Sequence, residues 1–359
     1  MLERLPRYRT GDADLDRRLV DLLDAAGATA NRDQLFEIMA AAVRLARDGT
    51  DRLDLKITNA ALRELRRAFQ VFADYRSVPK LTIFGSARTL PDDPLYEQAR
   101  RLATLVASAG WMVVTGGGPG IMAAGTEGAG RERSFGINIR LPFEQEANEI
   151  LAGDPKLIEM RYFFTRKLML VKESEGFVAL PGGFGTLDEA LELLVLAQTG
   201  KAEPVPIVLL DVPSEGGYWE AWERFVTDEV ASRGMISPAD RHLYRVTADA
   251  KEAADEILGF YRNYQSRRWV GDVLLLRLRH APTPARLGEL AEEFADICLD
   301  GTLQVVEPMP VEVAEGDHLE LARLAVPFDL VSYGRLRQLI DALNRLPGLP
   351  PTATPPRRP

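Results

Sequence analysis

Two hydrophobic periodicities divide the chain. Up to about residue 76, apolar residues recur every three to four positions between charged ones, as in QLFEIMAAAVRLAR and ALRELRRAFQVFADY. That spacing predicts amphipathic helices over 1–76. From Pro79 short apolar runs take over: LTIFG (81–85), WMVVT (111–115), FGINI (135–139), GFVAL (176–180) and VPIVLL (205–210), with KLIEMRY (157–162) as a further strand candidate. Helical patterns fill the intervals at 96–109, 121–131, 163–173 and 187–199. Strands that are apolar on both faces and alternate with helices specify a parallel sheet covered on both sides. The segment 77–262 is therefore predicted to be a doubly wound, Rossmann-like α/β domain. Such sheets bind ligands beyond the carboxyl ends of their strands.

After NYQSRRW the alternation restarts on a smaller scale. VGDVLLLRLRH (270–280), a helix at 286–299, TLQVVEPMPVEV (302–313), LELARLAVPF and a helix at 333–346 predict a small α/β appendage over 265–346. The segment 347–359, PGLPPTATPPRRP, contains six prolines and reads as a disordered tail.

Composition narrows the function classes. The chain has 359 residues, enough for two or three domains, and is 46% hydrophobic, enough for a sizeable core. A net charge of −9 argues against nucleic acid as the main partner. The single cysteine, Cys298, excludes an intrachain disulfide and fits a reducing compartment. The start, MLERLPRYRTGDADLDRR, is charged where a signal peptide would be apolar. No run approaches the roughly 18 apolar residues of a membrane helix. The expectation is a soluble cytoplasmic protein without a membrane partner.

Two strand-to-helix turns are rich in glycine: VVTGGGPGIMAAG (113–125) and ALPGGFGTLDEA (179–190). The first N–H groups of a helix lack partners inside it, and the helix dipole adds positive potential, so an anion is favoured there. Glycine permits close approach and positive φ. The alternative is that these glycines only make tight turns. Familiar nucleotide signatures fit badly. GPGIMA (118–123) follows the second strand rather than the first, and the next strand ends in Arg140 rather than an acid, which disfavours NAD. No P-loop pattern is present, since the GK at 200–201 precedes Ala202.

Two clusters are candidates for chemistry. Thr186 and Glu189 have the spacing of a capping box, a purely local role for the glutamate. A carboxylate one turn beyond a phosphate site is otherwise unfavourable, which opens a catalytic alternative. In RYFFTRKLML (161–170), Arg166 and Lys167 head a helix whose predicted apolar face is Phe163, Phe164, Leu168 and Leu170. They read either as a solvated basic pair or, for the planar fork of Arg166, as a phosphate or sugar contact. His242, His280 and His318 lack metal-ligand spacing. Ser86, in FGSAR, reads as a hydrogen-bonding group rather than a nucleophile.

These motifs resemble the LOG ("Lonely Guy") phosphoribohydrolases, often labelled lysine decarboxylases. PGGFGTLDE (181–189) fits their P-G-G-x-G-T-x-x-E signature, and FGSAR, TGGGPGIM, NIRLPFEQEAN (138–148) and FFTRK (163–167) follow the family's order and spacing. The resemblance covers roughly 77–262. It implies hydrolysis of the N-glycosidic bond of nucleoside 5′-monophosphates, AMP-like or a cytokinin riboside monophosphate, with no metal or cofactor. It makes Glu189 and Arg166 the catalytic pair. Gly182, Gly183, Gly185 and Thr186 would hold the 5′-phosphate, Gly117 and Gly118 would wall the site, and Ser86 and Lys167 would join the binding groups. It also implies a homodimer or higher homo-oligomer with sites near the subunit interface. One departure concerns substrate contacts: Ala123, Ala124 and Thr126 stand where many relatives carry E-A-A-N. A nucleotide-binding sensor or carrier, and a pyridoxal-phosphate decarboxylase, are the rival readings.

Overall fold

The computed structural model describes residues 6–140, 148–213 and 216–350. Most of the NIRLPFEQEAN motif (141–147) and most of the proline-rich tail (351–359) lie outside the described residues. The chain divides into two compact units, Met1–Glu64 and Leu65–Pro359. The first holds α1 (Ala13–Ala25), α2 (Arg32–Arg47) and the beginning of α3 (Arg52–Phe72). Asp12 caps α1 by accepting the N–H groups of Asp14 and Leu15. Leu23, Phe36 and Ala40 form the small core of this unit.

In the larger unit, strands and helices alternate. They run β1 (Lys80–Phe84), α4 (Pro94–Ser108), β2 (Met112–Thr115), α5 (Ile121–Ala129), β3 (Ser134–Ile139), β4 (Leu157–Met160) and α6 (Phe163–Lys172). Then follow β5 (Gly176–Ala179), α7 (Phe184–Gln198), β6 (Ile207–Leu210), α8 (Tyr218–Phe225), β7 (Arg245–Thr247) and α9 (Ala250–Gly259). The seven strands form one parallel sheet in the order β4-β3-β2-β1-β5-β6-β7. This is the doubly wound Rossmann-like α/β fold. Every residue of β1, β2, β5 and β6 is buried, as near-continuous apolar strands require. Ile83, Val113 and Val178 pack on one face of the sheet, and Phe84, Val114 and Phe177 on the other. Because β1 lies between β2 and β5, the winding reverses there. A crevice opens between the ends of β1 and β5, the position at which this fold class binds ligands.

The remaining elements are β8 (Tyr264–Val270), β9 (Val273–Leu278), α10 (Pro284–Glu293), β10 (Gln304–Val306), α11 (Pro310–Glu315), β11 (Ala322–Val326) and α12 (Tyr333–Leu343). Their four strands form an antiparallel sheet in the order β10-β11-β9-β8. Leu274, Leu276, Leu324 and Ile340 share one hydrophobic cluster with Trp111, Ile257 and Phe260. Glu312 is fully buried between Arg277 (2.7 Å) and Arg323 (3.4 Å), so its charge is compensated where water cannot reach.

Three local expectations are corrected. β7 and β8 were not foreseen: β7 is three residues long, and β8 carries the polar run Gln265, Ser266, Arg267 and Arg268. α7 begins at Phe184 rather than 187. α6 buries Thr165, Met169 and Leu170 and exposes Phe163, Phe164 and Leu168 of its predicted apolar face. Among the described residues, no helix is long and apolar enough to cross a membrane.

Candidate active site

At the crevice the chain leaving β1 binds both glycine corners. The Ser86 N–H donates to the Pro181 carbonyl at 3.2 Å, and the Ser86 carbonyl accepts the Ile121 N–H at 3.0 Å. Gly120 permits the second contact. Its φ is +66°, and a Cβ there would lie 2.3 Å from the Ser86 oxygen. The Ser86 hydroxyl accepts the Arg88 N–H at 3.0 Å, which folds the loop back on itself. Around these contacts lies a cleft of about 820 Å³. Of the ten residues singled out in the sequence, it is lined by Ser86, Arg166, Gly182, Gly183, Gly185, Thr186 and Glu189.

The corner after β5 is an uncapped helix start. Gly183 is the N-cap of α7, no side chain caps it, and the first intrahelical bond runs from Leu187 N–H to the Gly183 carbonyl at 3.1 Å. The N–H groups of Phe184, Gly185 and Thr186 therefore have no partner within the helix. A Cβ at Gly183 or Gly185 would meet nothing within 4 Å, and neither residue has positive φ. Folding does not demand glycine at these two positions, and the bare backbone leaves open space in front of the helix start. Gly182 differs, since a Cβ there would lie 2.2 Å from Thr186 Oγ1. The Tyr218 hydroxyl, its pKa pushed up by burial, donates to the Gly182 carbonyl at 2.8 Å and fixes the corner.

With Gly183 as the cap, Thr186 and Glu189 sit three residues deeper than a capping box allows, so that reading of Glu189 is corrected. Its carboxylate instead accepts Arg166 Nη1 at 2.7 Å, and both side chains are largely buried. Arg166 Nε donates to the Ile137 carbonyl at 2.9 Å, locking the guanidinium. Burial pushes the Glu189 carboxyl above its ordinary range, while the Arg166 charge pulls it back. At 1.5 Å per residue, Glu189 lies about 7 Å along α7 from the first free N–H, the scale of one sugar phosphate.

Lys167, Gly117 and Gly118 do not line the cleft. The Lys167 ammonium is held between Asp188 (2.7 Å) and Glu192 (2.6 Å). Burial opposes its charge, yet these two carboxylates raise its pKa. Gly117, at φ +70°, accepts the Asn148 N–H through its carbonyl at 3.0 Å, and Gly118 faces Met122. The glycine of this turn that does line the cleft is Gly116, which the sequence reading passed over. A Cβ there would lie 2.4 Å from Arg166 Nη2 and 2.5 Å from Met122 Sδ. Arg88 also lines the cleft. Only its place in the FGSAR motif pointed to it.

Comparison with known proteins identifies the family of the chain. A family model described as possible lysine decarboxylase matches residues 120–257. The chain is 33% identical over 143 residues to a probable cytokinin riboside 5′-monophosphate phosphoribohydrolase, LOG6, of Arabidopsis thaliana, covering 39% of this chain and 68% of that protein. It is 31% identical over 148 residues to the cytokinin riboside 5′-monophosphate phosphoribohydrolase LOG1 of the same plant, covering 41% and 66%. Among solved structures, the molybdenum cofactor carrier protein of Chlamydomonas reinhardtii is 26% identical, with a TM-score of 0.34, covering 49% of this chain and 94% of that one. At that TM-score the likeness says nothing about a ligand.

Proposed function

This chain belongs to the LOG family, and from that membership we propose that it hydrolyses the N-glycosidic bond of nucleoside 5′-monophosphates to free base and ribose 5-phosphate. AMP-like nucleotides and cytokinin riboside monophosphates are the substrate class. The observation that carries the reading is the buried pair of Arg166 and Glu189 in the cleft that also holds the uncapped start of α7.

In this reading the 5′-phosphate accepts the free N–H groups of Phe184, Gly185 and Thr186, with Gly183 and Gly185 leaving room for its oxygens. Its binding energy positions the sugar. As the bond from C1′ to the base nitrogen breaks, the sugar develops oxocarbenium-like positive charge. The Glu189 carboxylate, held in place by Arg166, stabilises that charge and accepts a proton from the water that adds to C1′. The base leaves with the bonding electron pair and takes up a proton. A pyridoxal-phosphate decarboxylase would need a lysine for its Schiff base, and among the described residues none lines the cleft.

The site sits beside an exposed apolar surface. Phe163, Phe164 and Leu168 of α6 and Leu191 and Val195 of α7 are all exposed. Such a surface supports a homo-oligomer in which these two helices meet a second copy. The test of the activity is chromatography of free bases after incubation with AMP, GMP and a cytokinin riboside monophosphate, with adenosine as control. Nucleotides returned intact by folded protein would overturn it, and nucleotide bound without turnover would identify a carrier or sensor.

A further inference from the structure

We propose that Arg88 is the phosphate-selecting residue of this cleft: its guanidinium closes onto the 5′-phosphate and confines the substrate class to phosphorylated sugars. The inference rests on the phosphoribohydrolase reading above and concerns a residue to which that reading gives no role.

The charge pattern around α7 leads to it. The first turns of the helix carry Asp188, Glu189 and Glu192, so a phosphate dianion at its N-terminus approaches three carboxylates. Two nearby cations are already engaged. Arg166 is held by Glu189 and the Ile137 carbonyl, and Lys167 is shared between Asp188 and Glu192. Backbone N–H groups carry only partial charge, so this edge has no full positive charge left for the incoming dianion. Among the described residues lining the cleft, the cations are Arg166 and Arg88. Arg88 alone of the two has a side chain with no ion pair or hydrogen bond to any described residue.

Its position suits the role. The Ser86 hydroxyl accepts the Arg88 N–H at 3.0 Å, and the Ser86 N–H is bonded to the Pro181 carbonyl. A Cβ at Gly182 would lie 3.1 Å from the Ser86 nitrogen, so the loop carrying Arg88 abuts the corner that starts α7. The backbone of Arg88 is thus fixed beside the anion end while its side chain is exposed and able to swing. A guanidinium in that place offers a phosphate two parallel, charge-assisted donors.

The test uses the full chain and its Arg88→Gln and Arg88→Lys variants. Ribose 5-phosphate and ribose are titrated calorimetrically at low and raised salt, and kcat and KM are measured for AMP. Arg88→Gln is expected to weaken ribose 5-phosphate binding about tenfold or more and to raise KM for AMP in proportion, with kcat held within about twofold and thermal stability unchanged. Arg88→Lys should recover part of the affinity. Raised salt should weaken binding more in the wild type than in Arg88→Gln. Wild-type affinity for ribose 5-phosphate in Arg88→Gln overturns the inference, as does an equal loss of affinity for ribose. A wild type that binds ribose 5-phosphate through Arg88 yet releases no base supports the inference and removes the proposed activity. A wild type that releases base while Arg88→Gln matches it in KM does the reverse.

Discussion

Replacing Gly116 with alanine adds one methyl group and no charge, yet it is expected to disable the site. A Cβ there would stand 2.4 Å from Arg166 Nη2, whereas ordinary contact begins at 3.4 Å. The guanidinium must retreat by about 1 Å, and it cannot do so freely. Nε is bonded to the Ile137 carbonyl at 2.9 Å and Nη1 to Glu189 at 2.7 Å, so the retreat stretches one or both bonds beyond hydrogen-bonding distance. Weakening a charged hydrogen bond costs about 1.5–3 kcal/mol. Misplacing a reacting group by about 1 Å costs on the order of a hundredfold in rate. The expected result is therefore kcat on AMP reduced about 100-fold with KM nearly constant, since the added methyl meets Arg166 and Met122 and no residue at the start of α7. Base release followed by chromatography gives kcat, and thermal denaturation checks that the variant is folded. Gly118→Ala is the control: its Cβ would meet the flexible end of Met122 at 2.7 Å, which can move aside. A folded Gly116→Ala enzyme with wild-type kcat would show that Arg166 need not be held where it is.

Glu189→Gln keeps the shape and one acceptor for Arg166 but removes the charge, so base release should fall about a thousandfold, and a folded variant with normal turnover would refute a role for the carboxylate. Because burial raises the Glu189 pKa and the reaction uses its ionised form, kcat should fall on acidification along a limb centred above the ordinary carboxylate range. Arg166 opposes that rise, so Arg166→Gln should shift the limb to higher pH and Arg166→Lys should leave it nearly in place; a pH profile of kcat that moves the other way contradicts the pairing. Tyr218→Phe removes the hydrogen bond to the Gly182 carbonyl, worth about 1 kcal/mol, and should raise KM for AMP about fivefold with little change in kcat. An unchanged KM would mean that the corner holds its shape without the hydroxyl.

The parallel sheet was legible because its inner strands are short and apolar throughout, a pattern that excludes a strand with one wet face. The weaker strands were not. Arg245, Val246 and Thr247 form β7 only because β6 offers an edge for them, and β8 conceals its period among polar residues that face solvent or the buried ion network. The site was legible as a set of residues and illegible as a geometry. Thr186 and Glu189 have capping-box spacing, but α7 starts at an exposed phenylalanine, Phe184, and a glycine supplies the cap. Arg166 and Glu189 stand 23 residues apart, and their contact follows from how α6 and α7 pack, which no local pattern encodes. Gly116 looks like its neighbours in the glycine run. Its importance comes from a side chain fifty positions away that passes over it.

The family match ends at residue 257, but the interior of the protein does not end there. Asn344, at the end of α12, accepts the N–H groups of Asn263 and Tyr264 and donates to the Phe260 carbonyl. The rings of Phe260, Tyr261 and Tyr264 stack and cross one another beneath it. A truncation placed where the likeness stops would strip the lid from an aromatic nest and leave oily side chains facing water. Whoever trims this protein to its recognisable portion should expect a sticky, half-melted product, because the shared ancestry and the melting unit have different borders.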